Sequence, residues 1–242
     1  SNSGASLAVV RRVIAIVSGT GVEAKLQNSR TITLETAVRA VNAYNSGNYR
    51  GRKNTELDLQ VRQTFTAGLA PTLEGIIAQV RLIGDDYGGV AGFPAAIALA
   101  PVIAAEIHTN RNSYTALITA ALPLMQAESS VDTVAHLLRP FTTPLHGKQN
   151  WHVWASKFWH FLNPDAFPIQ DSRVGRFFSL GGPNSAAKYV TLLQRFREFA
   201  IAHQSWLDSL RSADGGYAWS DTKLWDKVCY GVVELGDGNH AR

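Results

Sequence analysis

Apolar and polar residues alternate with helical spacing through most of this sequence. Apolar side chains recur every three or four positions, which places them on one face of a helix. Two such rows are Leu34, Ala37, Val38, Val41 and Tyr44, and Leu192, Leu193, Phe196 and Phe199. Convincing stretches of strict alternation, which are typical of a half-buried strand, are scarce. The sequence therefore predicts an all-α fold.

Capping and turn-forming residues mark where these helices begin and end. A side-chain oxygen with a nearby acid predicts helix starts at Thr33, Asn54, Ser129 and Ser220. Clusters of glycine, proline and asparagine predict the breaks between helices. These breaks fall at residues 19–21, 46–51, 84–89, 140–147, 163–168, 181–183 and 215–216. Together the signals divide the chain into about nine or ten helices.

The composition is that of a folded globular protein. Hydrophobic residues make up 45% of the 242 positions and charged residues 17%, which is too apolar for a disordered chain. Residues 1–6 lack an initiator methionine and resemble a trimmed end, so the expected domain excludes them. We expect residues 7–242 to form one compact α-helical domain.

Several classes of protein are excluded by what the sequence lacks. Its longest apolar runs, such as residues 93–105, are too short to cross a bilayer. The single Cys229 cannot form an internal disulfide, and the histidines lack metal-ligand spacing. Neither a phosphate-binding loop nor a GxSxG motif occurs. We therefore expect a cytoplasmic protein that binds no membrane, metal or cofactor.

The positive charges are concentrated in one part of the chain. The net charge is +4 and the pI about 9.3. Between Arg139 and Arg176 there are five basic residues and two acids, and a second basic group, YRGRK, starts at Tyr49. Clustered positive charge favours a polyanionic partner, although either group is also consistent with an ordinary solvated surface.

The stretch NPDAFPIQDSRVGRFF, residues 163–178, carries the candidate chemistry. Pro164 and Pro168 end the preceding helix, and Asp171 then lies at or next to the N-cap of the following one. Arg173 and Arg176 follow the acid. One interpretation is that Asp171 only caps a helix.

The preceding helix offers a second interpretation. It carries an aromatic stripe, which we expect to lie in the core, formed by Trp151, Trp154, Phe158 and Phe161. Lys157 lies at the edge of this stripe. The short turn after the helix can bring Asp171 back toward the cleft that Lys157 would face. The sequence therefore predicts a lysine and a carboxylate close together.

The order PLHGKQNWHVWASKFWHFLNPDAFPIQDSRV, residues 144–174, resembles the catalytic region of helix-hairpin-helix DNA glycosylases. The family pattern is a glycine-containing hairpin, a helix with a lysine, and a P-[VI]-D-x-x-V turn. The chain departs from it because Gly147 is the one glycine in the hairpin and Gln170 separates Ile169 from Asp171. The resemblance implies a two-lobed helical bundle, with Asp171 as the essential carboxylate and Lys157 as the lysine of members that also cleave abasic sites.

The resemblance also implies a partner, double-stranded DNA with a modified base, and a monomeric enzyme that flips this base out and excises it. DNA contacts are then expected from Gly147, Lys148, Asn150, Arg173 and Arg176, and base contacts from Trp151, His152 and Trp159. A further likeness is to bacterial anti-phage glycosylases that remove hypermodified cytosines. It implies glucosylated 5-hydroxymethylcytosine as the substrate. Two alternatives stay open, a DNA-binding helical domain without catalysis and a helical interaction module without DNA affinity.

Overall fold

The computed structural model describes residues 32–49, 51–85, 94–126, 131–142 and 151–238. The helices in these ranges are α1 (Leu34–Ser46), α2 (Asn54–Phe65), α3 (Leu73–Asp85), α4 (Pro94–Thr109), α5 (Arg111–Gln126), α6 (Val131–Thr142), α7 (Trp151–Leu162), α8 (Ser172–Phe177), α9 (Ala186–Ala202), α10 (Leu207–Ala213) and α11 (Asp221–Gly238). A 3₁₀ turn, Gln204–Trp206, links α9 to α10. The predicted all-α class is confirmed.

A short antiparallel ribbon joins α1 to α2. It consists of β1 (Asn48–Tyr49) and β2 (Arg52–Lys53), with Asn48 opposite Lys53. Gly51 occupies the turn with a φ of 80°, a conformation that glycine adopts without strain. Most of the basic YRGRK group therefore forms a hairpin, and β2 is exposed to solvent.

The predicted helix starts are partly confirmed. Thr33 caps α1, because its hydroxyl accepts a hydrogen bond from the amide of Thr36 at 3.2 Å. Ser220 caps α11 in the same way through the amide of Lys223, also at 3.2 Å. Asn54 is instead the first residue of α2, and its side chain donates to the carbonyl of Tyr44 at 3.0 Å. Ser129 lies outside the described residues.

The predicted breaks differ from the structure in two ways: one helix continues into a predicted break, and another ends where no break is predicted. Helix α6 continues through Pro140 to Thr142, because a proline in the last turn removes one backbone hydrogen bond without preventing that turn. Asn110 ends α4 without a glycine or proline, and its side chain donates to the carbonyl of Glu106 at 3.1 Å. The part of the chain that the structure describes contains eleven α-helices, more than predicted.

Helix α7 lies in the middle of the core. Trp154 and Phe158 are fully buried and Phe161 nearly so, which confirms the core position of these three stripe residues, whereas Trp151 at the start of the helix is partly buried. The indole of Trp154 donates to the carbonyl of Val80 on α3 at 3.0 Å. The indole of Trp159 donates to the carbonyl of Leu137 on α6 at 2.8 Å. These two hydrogen bonds fix α7 against its neighbours inside the apolar interior.

Helices α1 and α11 approach each other closely at a glycine. A Cβ atom on Gly231 would lie 2.2 Å from the carbonyl oxygen of Ala40 and 2.8 Å from its Cα. Backbone atoms of α1 therefore occupy the space that any side chain at position 231 would need. Helix α11 also packs against α8, so its position along α1 determines where α8 lies.

We expect Gly231→Ala to lower the free energy of unfolding by about 2 kcal/mol or more, because α1 can make room only by shifting as a whole. The matched control is Gly175→Ala in α8, where an added Cβ meets nothing within 4 Å. That variant should be neutral or up to about 1 kcal/mol more stable, since alanine favours helices over glycine. Urea denaturation measures both. Equal stability of the two variants would contradict the close approach.

Candidate active site

Asp171 is the N-cap of α8. Its Oδ1 atom accepts hydrogen bonds from the amides of Arg173 and Val174, both at 2.8 Å. The cap predicted from the sequence is therefore confirmed. Both cap hydrogen bonds go to Oδ1, so Oδ2 takes no part in the cap, and the residue is partly exposed.

Side chains from two helices hold the segment that leads to Asp171. On α7, Ser156 Oγ accepts a hydrogen bond from the amide of Gln170 at 2.9 Å, and His160 Nδ1 donates to the carbonyl of Phe167 at 2.7 Å. On α9, Tyr189 donates through its hydroxyl to the carbonyl of Pro168 at 2.8 Å. Ser156 and His160 are one helical turn apart, so they lie on the same face of α7. This face binds the backbone of residues 167–170.

This attachment brings Lys157 and Asp171 close together. Each directly follows one of the hydrogen-bonded residues Ser156 and Gln170. Burial lowers the pKa of Lys157, and the Asp171 carboxylate opposes this more strongly than any other group. Lys157 is 9% exposed, so it lies inside the protein and does not extend along the helix surface to solvent. The juxtaposition of this lysine and this carboxylate agrees with the sequence prediction.

A buried ion cluster that the sequence did not indicate lies beside this pair. Lys223 on α11 contacts Asp58 Oδ1 at 3.1 Å, Asp226 Oδ2 at 3.3 Å and the Tyr44 hydroxyl at 3.2 Å. Tyr44 in turn donates to Asp58 at 3.0 Å. Burial opposes the charge on Lys223, but Asp58, and then Tyr44 and Asp226, outweigh it and raise the pKa of Lys223 well above its usual range.

Asp226 extends the cluster toward the candidate site. Burial raises its pKa to about 6, although the charge of Lys223 acts against this, and the carboxylates of Asp171 and Asp58 raise it further. Burial, followed by the charge of Lys223, lowers the pKa of His160 to about 3, so this imidazole is neutral at neutral pH. The site therefore contains a carboxyl group that titrates close to the physiological range.

A second buried pair lies one helical turn further along α11. Lys227 contacts Asp214 Oδ1 at 2.6 Å and donates to Asn45 Oδ1 at 3.0 Å. The side-chain nitrogen of Asn45, Nδ2, donates to the same oxygen of Asp214 at 3.0 Å. Both ionic side chains are fully buried. Lys227 and Asp214 therefore form a buried lysine–aspartate pair like that of Lys223 and Asp58.

The basic residues expected to bind DNA have different surroundings. Arg173 forms an ion pair with Glu234, and its guanidinium lies 4.5 Å from the ring centroid of Tyr230, both on α11. Arg176 is exposed. Three other residues expected to bind DNA, Gly147, Lys148 and Asn150, lie outside the described residues, as does the part of the expected domain before Ile32.

The aromatic residues expected in a base pocket also differ from one another. Trp151 is partly buried at the start of α7, and its ring meets that of His152 edge to face at a centroid distance of 5.9 Å. His152 is 8% exposed. Trp159 is 1% exposed and stacks on Tyr114, with its indole already hydrogen bonded. Trp159 is therefore a core residue, and a base cannot stack on it without opening the interior.

Comparison with protein-family models, with curated proteins and with solved structures gives no match to this chain. Within the described ranges, no three His, Cys, Asp or Glu side chains are grouped so that they could hold a metal ion. Every helix in the same ranges is too short or too polar to cross a membrane. The candidate site therefore rests on its own geometry.

The raised pKa of Asp226 gives the fold a pH dependence that can be measured. A carboxyl group whose folded pKa of about 6 exceeds its ordinary 3.8 stabilises the protein at low pH, and this stabilisation is lost as the pH rises through about 6. Relative to Asp226→Asn, the parent should lose up to about 3 kcal/mol of unfolding free energy between about pH 4 and pH 7.

Urea denaturation across this pH range tests the expectation. Asp208→Asn is the control, because it removes a carboxylate that is 99% exposed and lies outside the buried cluster. A constant difference between the parent and Asp226→Asn would show that Asp226 does not titrate in this range.

Proposed function

We propose that the protein is a DNA glycosylase, which hydrolyses the N-glycosidic bond of a modified base flipped out of duplex DNA. The observation that carries this proposal is the position of Asp171. Its carboxylate is fixed through Oδ1 and partly exposed, next to the buried Lys157. In the finer form of the proposal, the base is glucosylated 5-hydroxymethylcytosine of phage DNA and the enzyme serves in antiviral defence.

The chemistry of the reaction requires an anion at the position of Asp171. Cleavage of an N-glycosidic bond develops positive charge on the sugar, as in an oxocarbenium ion. A preorganised carboxylate beside C1′ stabilises that charge without having to reorient during the reaction. The same carboxylate can accept a proton from the attacking water. Because the two cap hydrogen bonds hold Oδ1, Oδ2 is the atom that faces the substrate.

Lys157 gives the proposed enzyme a second route. A lysine is nucleophilic only when its amine is neutral, and burial lowers the pKa of Lys157 toward that state. The amine can then attack C1′, displace the base and form an imine with the opened sugar. This intermediate leads to strand cleavage, so the protein would also act as an abasic-site lyase.

The DNA contacts in this proposal come from basic residues that precede and follow Asp171 in the sequence. Lys148, Arg173 and Arg176 would neutralise phosphates and release the counterions condensed on the DNA, and binding would weaken with salt because this release is less favourable at high salt. Arg173 is ion paired with Glu234. To bind a phosphate, Arg173 must either give up this ion pair or contact Glu234 and the phosphate together. Trp151 and His152 would contact the flipped base, which has to leave the stack before an enzyme can reach its glycosidic bond.

One observation favours a second function, a DNA-binding domain without catalysis. Asp171 already has a complete structural role, because it satisfies two backbone amides at the start of α8. In that case the basic residues would bind DNA and the carboxylate would act as a cap alone.

We expect Asp171→Asn to reduce base release at least about a hundredfold, because it removes the charge opposite the developing cation. Asparagine is as good an N-cap as aspartate, so stability should fall by less than about 1 kcal/mol. The assay uses end-labelled duplexes with ordinary, oxidised, alkylated, uracil or glucosylated hydroxymethylcytosine bases, followed by heating in alkali.

Ser185→Ala is the matched control, since the Ser185 hydroxyl caps α9 by accepting from the amide of Lys188 at 3.1 Å. It should cost about 1 kcal/mol and leave base release unchanged. If the parent binds every duplex and releases no base from any of them, the DNA-binding domain without catalysis replaces the glycosylase.

We expect Lys157→Met to abolish strand cleavage without alkali and the borohydride-trapped complex with abasic DNA, because both require the amine. Lys227→Met is the control, since burial also lowers the pKa of Lys227, whose partner is Asp214. The control should lose stability and still form the trapped complex. Trapping by the Lys157 variant at the parent's rate would contradict the role of this amine.

A further inference from the structure

Tyr230 on α11 has a hydroxyl group that the fold does not use. The residue is partly exposed, and its hydroxyl has no hydrogen-bond partner within the described ranges. Unlike the hydroxyl of Tyr114, it is not a buried atom, so it reaches solvent. The ring itself is held in place, because it meets the ring of Tyr44 edge to face at a centroid distance of 5.2 Å. Tyr230 therefore presents a free donor on a fixed ring.

Two other tyrosines show how this fold uses a hydroxyl with a structural role. Tyr44 donates to Asp58 at 3.0 Å inside the ion cluster. Tyr189 donates to the carbonyl of Pro168 at 2.8 Å and holds the segment before Asp171. Both of these hydroxyls are engaged within the protein, whereas the hydroxyl of Tyr230 is left for a ligand or for water.

Contacts through Arg173 place Tyr230 beside the candidate site. The backbone amide of Arg173 donates to Asp171 Oδ1 at 2.8 Å, and its guanidinium carbon lies 4.5 Å from the centroid of the Tyr230 ring. The ion pair with Glu234 holds the guanidinium there. Burial raises the pKa of Tyr230 to about 12, Arg173 acts against this, and the carboxylates of Glu234 and Asp171 raise it further. The hydroxyl therefore keeps its proton and remains a donor at neutral pH.

A neutral donor beside a guanidinium suits a phosphate. Phosphate oxygens accept hydrogen bonds from both arginine and tyrosine side chains, and such contacts fix the register of a nucleic acid. The charges of Arg173 and Arg176 on α8 balance those of Asp171 and Glu234, so these four residues together carry no net charge. The two phosphates of a nucleotide flank its sugar. A nucleotide whose C1′ faces Asp171 thus has a phosphate on either side of the site.

We propose that the Tyr230 hydroxyl donates a hydrogen bond to a phosphate that flanks the nucleotide whose base Asp171 releases, with the guanidinium of Arg173 on the same phosphate. Tyr230 is then a substrate-binding residue that fixes the position of the sugar relative to Asp171. The inference rests on the proposed function and adds a contact to the DNA backbone that depends on a neutral group.

The variant that tests this is Tyr230→Phe, which removes the hydroxyl and keeps the ring. The probe is a labelled duplex with a tetrahydrofuran abasic analogue at its centre, because its binding requires no base release. Fluorescence anisotropy should show binding roughly tenfold weaker, since a hydrogen bond to a charged group is lost.

Tyr217→Phe is the matched control. Tyr217 is 40% exposed, and its hydroxyl also has no partner in the part of the chain that the structure describes. This variant should bind the duplex as tightly as the parent. An equal loss in both variants, or no loss in Tyr230→Phe, would overturn the proposal.

A chemical change in the DNA identifies the phosphate. Two further duplexes carry a neutral methylphosphonate, one on the 5′ side of the analogue and one on the 3′ side. On one of them the difference between the parent and Tyr230→Phe should largely disappear, because the charged acceptor is already gone. A tenfold difference that persists on both duplexes would show that the hydroxyl binds neither phosphate and would overturn the proposal.

A stability measurement separates binding from folding. Tyr230→Phe should melt at the temperature of the parent, because its hydroxyl has no partner in the fold to lose. Tyr189→Phe should melt several degrees lower, because it loses the hydrogen bond to Pro168. A fall of that size in Tyr230→Phe would show that the fold uses the hydroxyl and would overturn the proposal.

Failure of the proposed function gives a different result. If the parent releases no base from any duplex but binds the abasic one with this dependence on Tyr230 and a phosphate, the contact belongs to a DNA-binding domain without catalysis. Base release without that dependence would keep the glycosylase and overturn the role of Tyr230 alone. If the parent binds none of the duplexes, the proposed function and the inference both fail.

Discussion

The position of the last helix depends on the burial of two lysines. Lys223 and Lys227 lie one turn apart on α11 and are 1% and 0% exposed. A buried ammonium is tolerated only when it is paired, because removing its partner costs about 3–5 kcal/mol. The partners are Asp58 on α2 and Asp214 after α10, at 3.1 and 2.6 Å. Both distances must hold at once, so α11 cannot slide or rotate against the rest of the protein.

The same ions connect this structural constraint to the candidate site. Lys223 shares its charge between Asp58 and Asp226, and Asp226 interacts electrostatically with both Asp171 and Lys157. The charge of Lys223 adds to the effect of burial in lowering the pKa of Lys157, while the carboxylates oppose it. The network that fixes α11 therefore also influences how readily Lys157 gives up its proton. Stability and proposed chemistry share one set of buried charges.

The sequence predicts those features that depend on neighbouring residues. Caps at Thr33 and Asp171 and the core face of α7 follow from spacing alone, because a few adjacent positions determine them. The ion cluster could not be predicted in this way. A lysine on a helix normally faces water, and the partner that makes burial of Lys223 tolerable, Asp58, is far away in the sequence. The same reason explains why the ion pair of Arg173 with Glu234 was not anticipated.

The attachment of the 167–170 segment to α7 bears on why Asp171 lies where it does. A helix cap needs only the amides of its own helix, so capping alone would be satisfied wherever the segment and α8 lay. Here the backbone amide of Gln170 donates to Ser156 Oγ at 2.9 Å. Lys157 directly follows Ser156 in the chain, and Asp171 directly follows Gln170. Because consecutive Cα atoms are about 3.8 Å apart, this one hydrogen bond limits the separation of the lysine and the carboxylate. The fold specifies the position of Asp171 relative to Lys157 more closely than a cap requires, which favours a role for this carboxylate beyond helix capping.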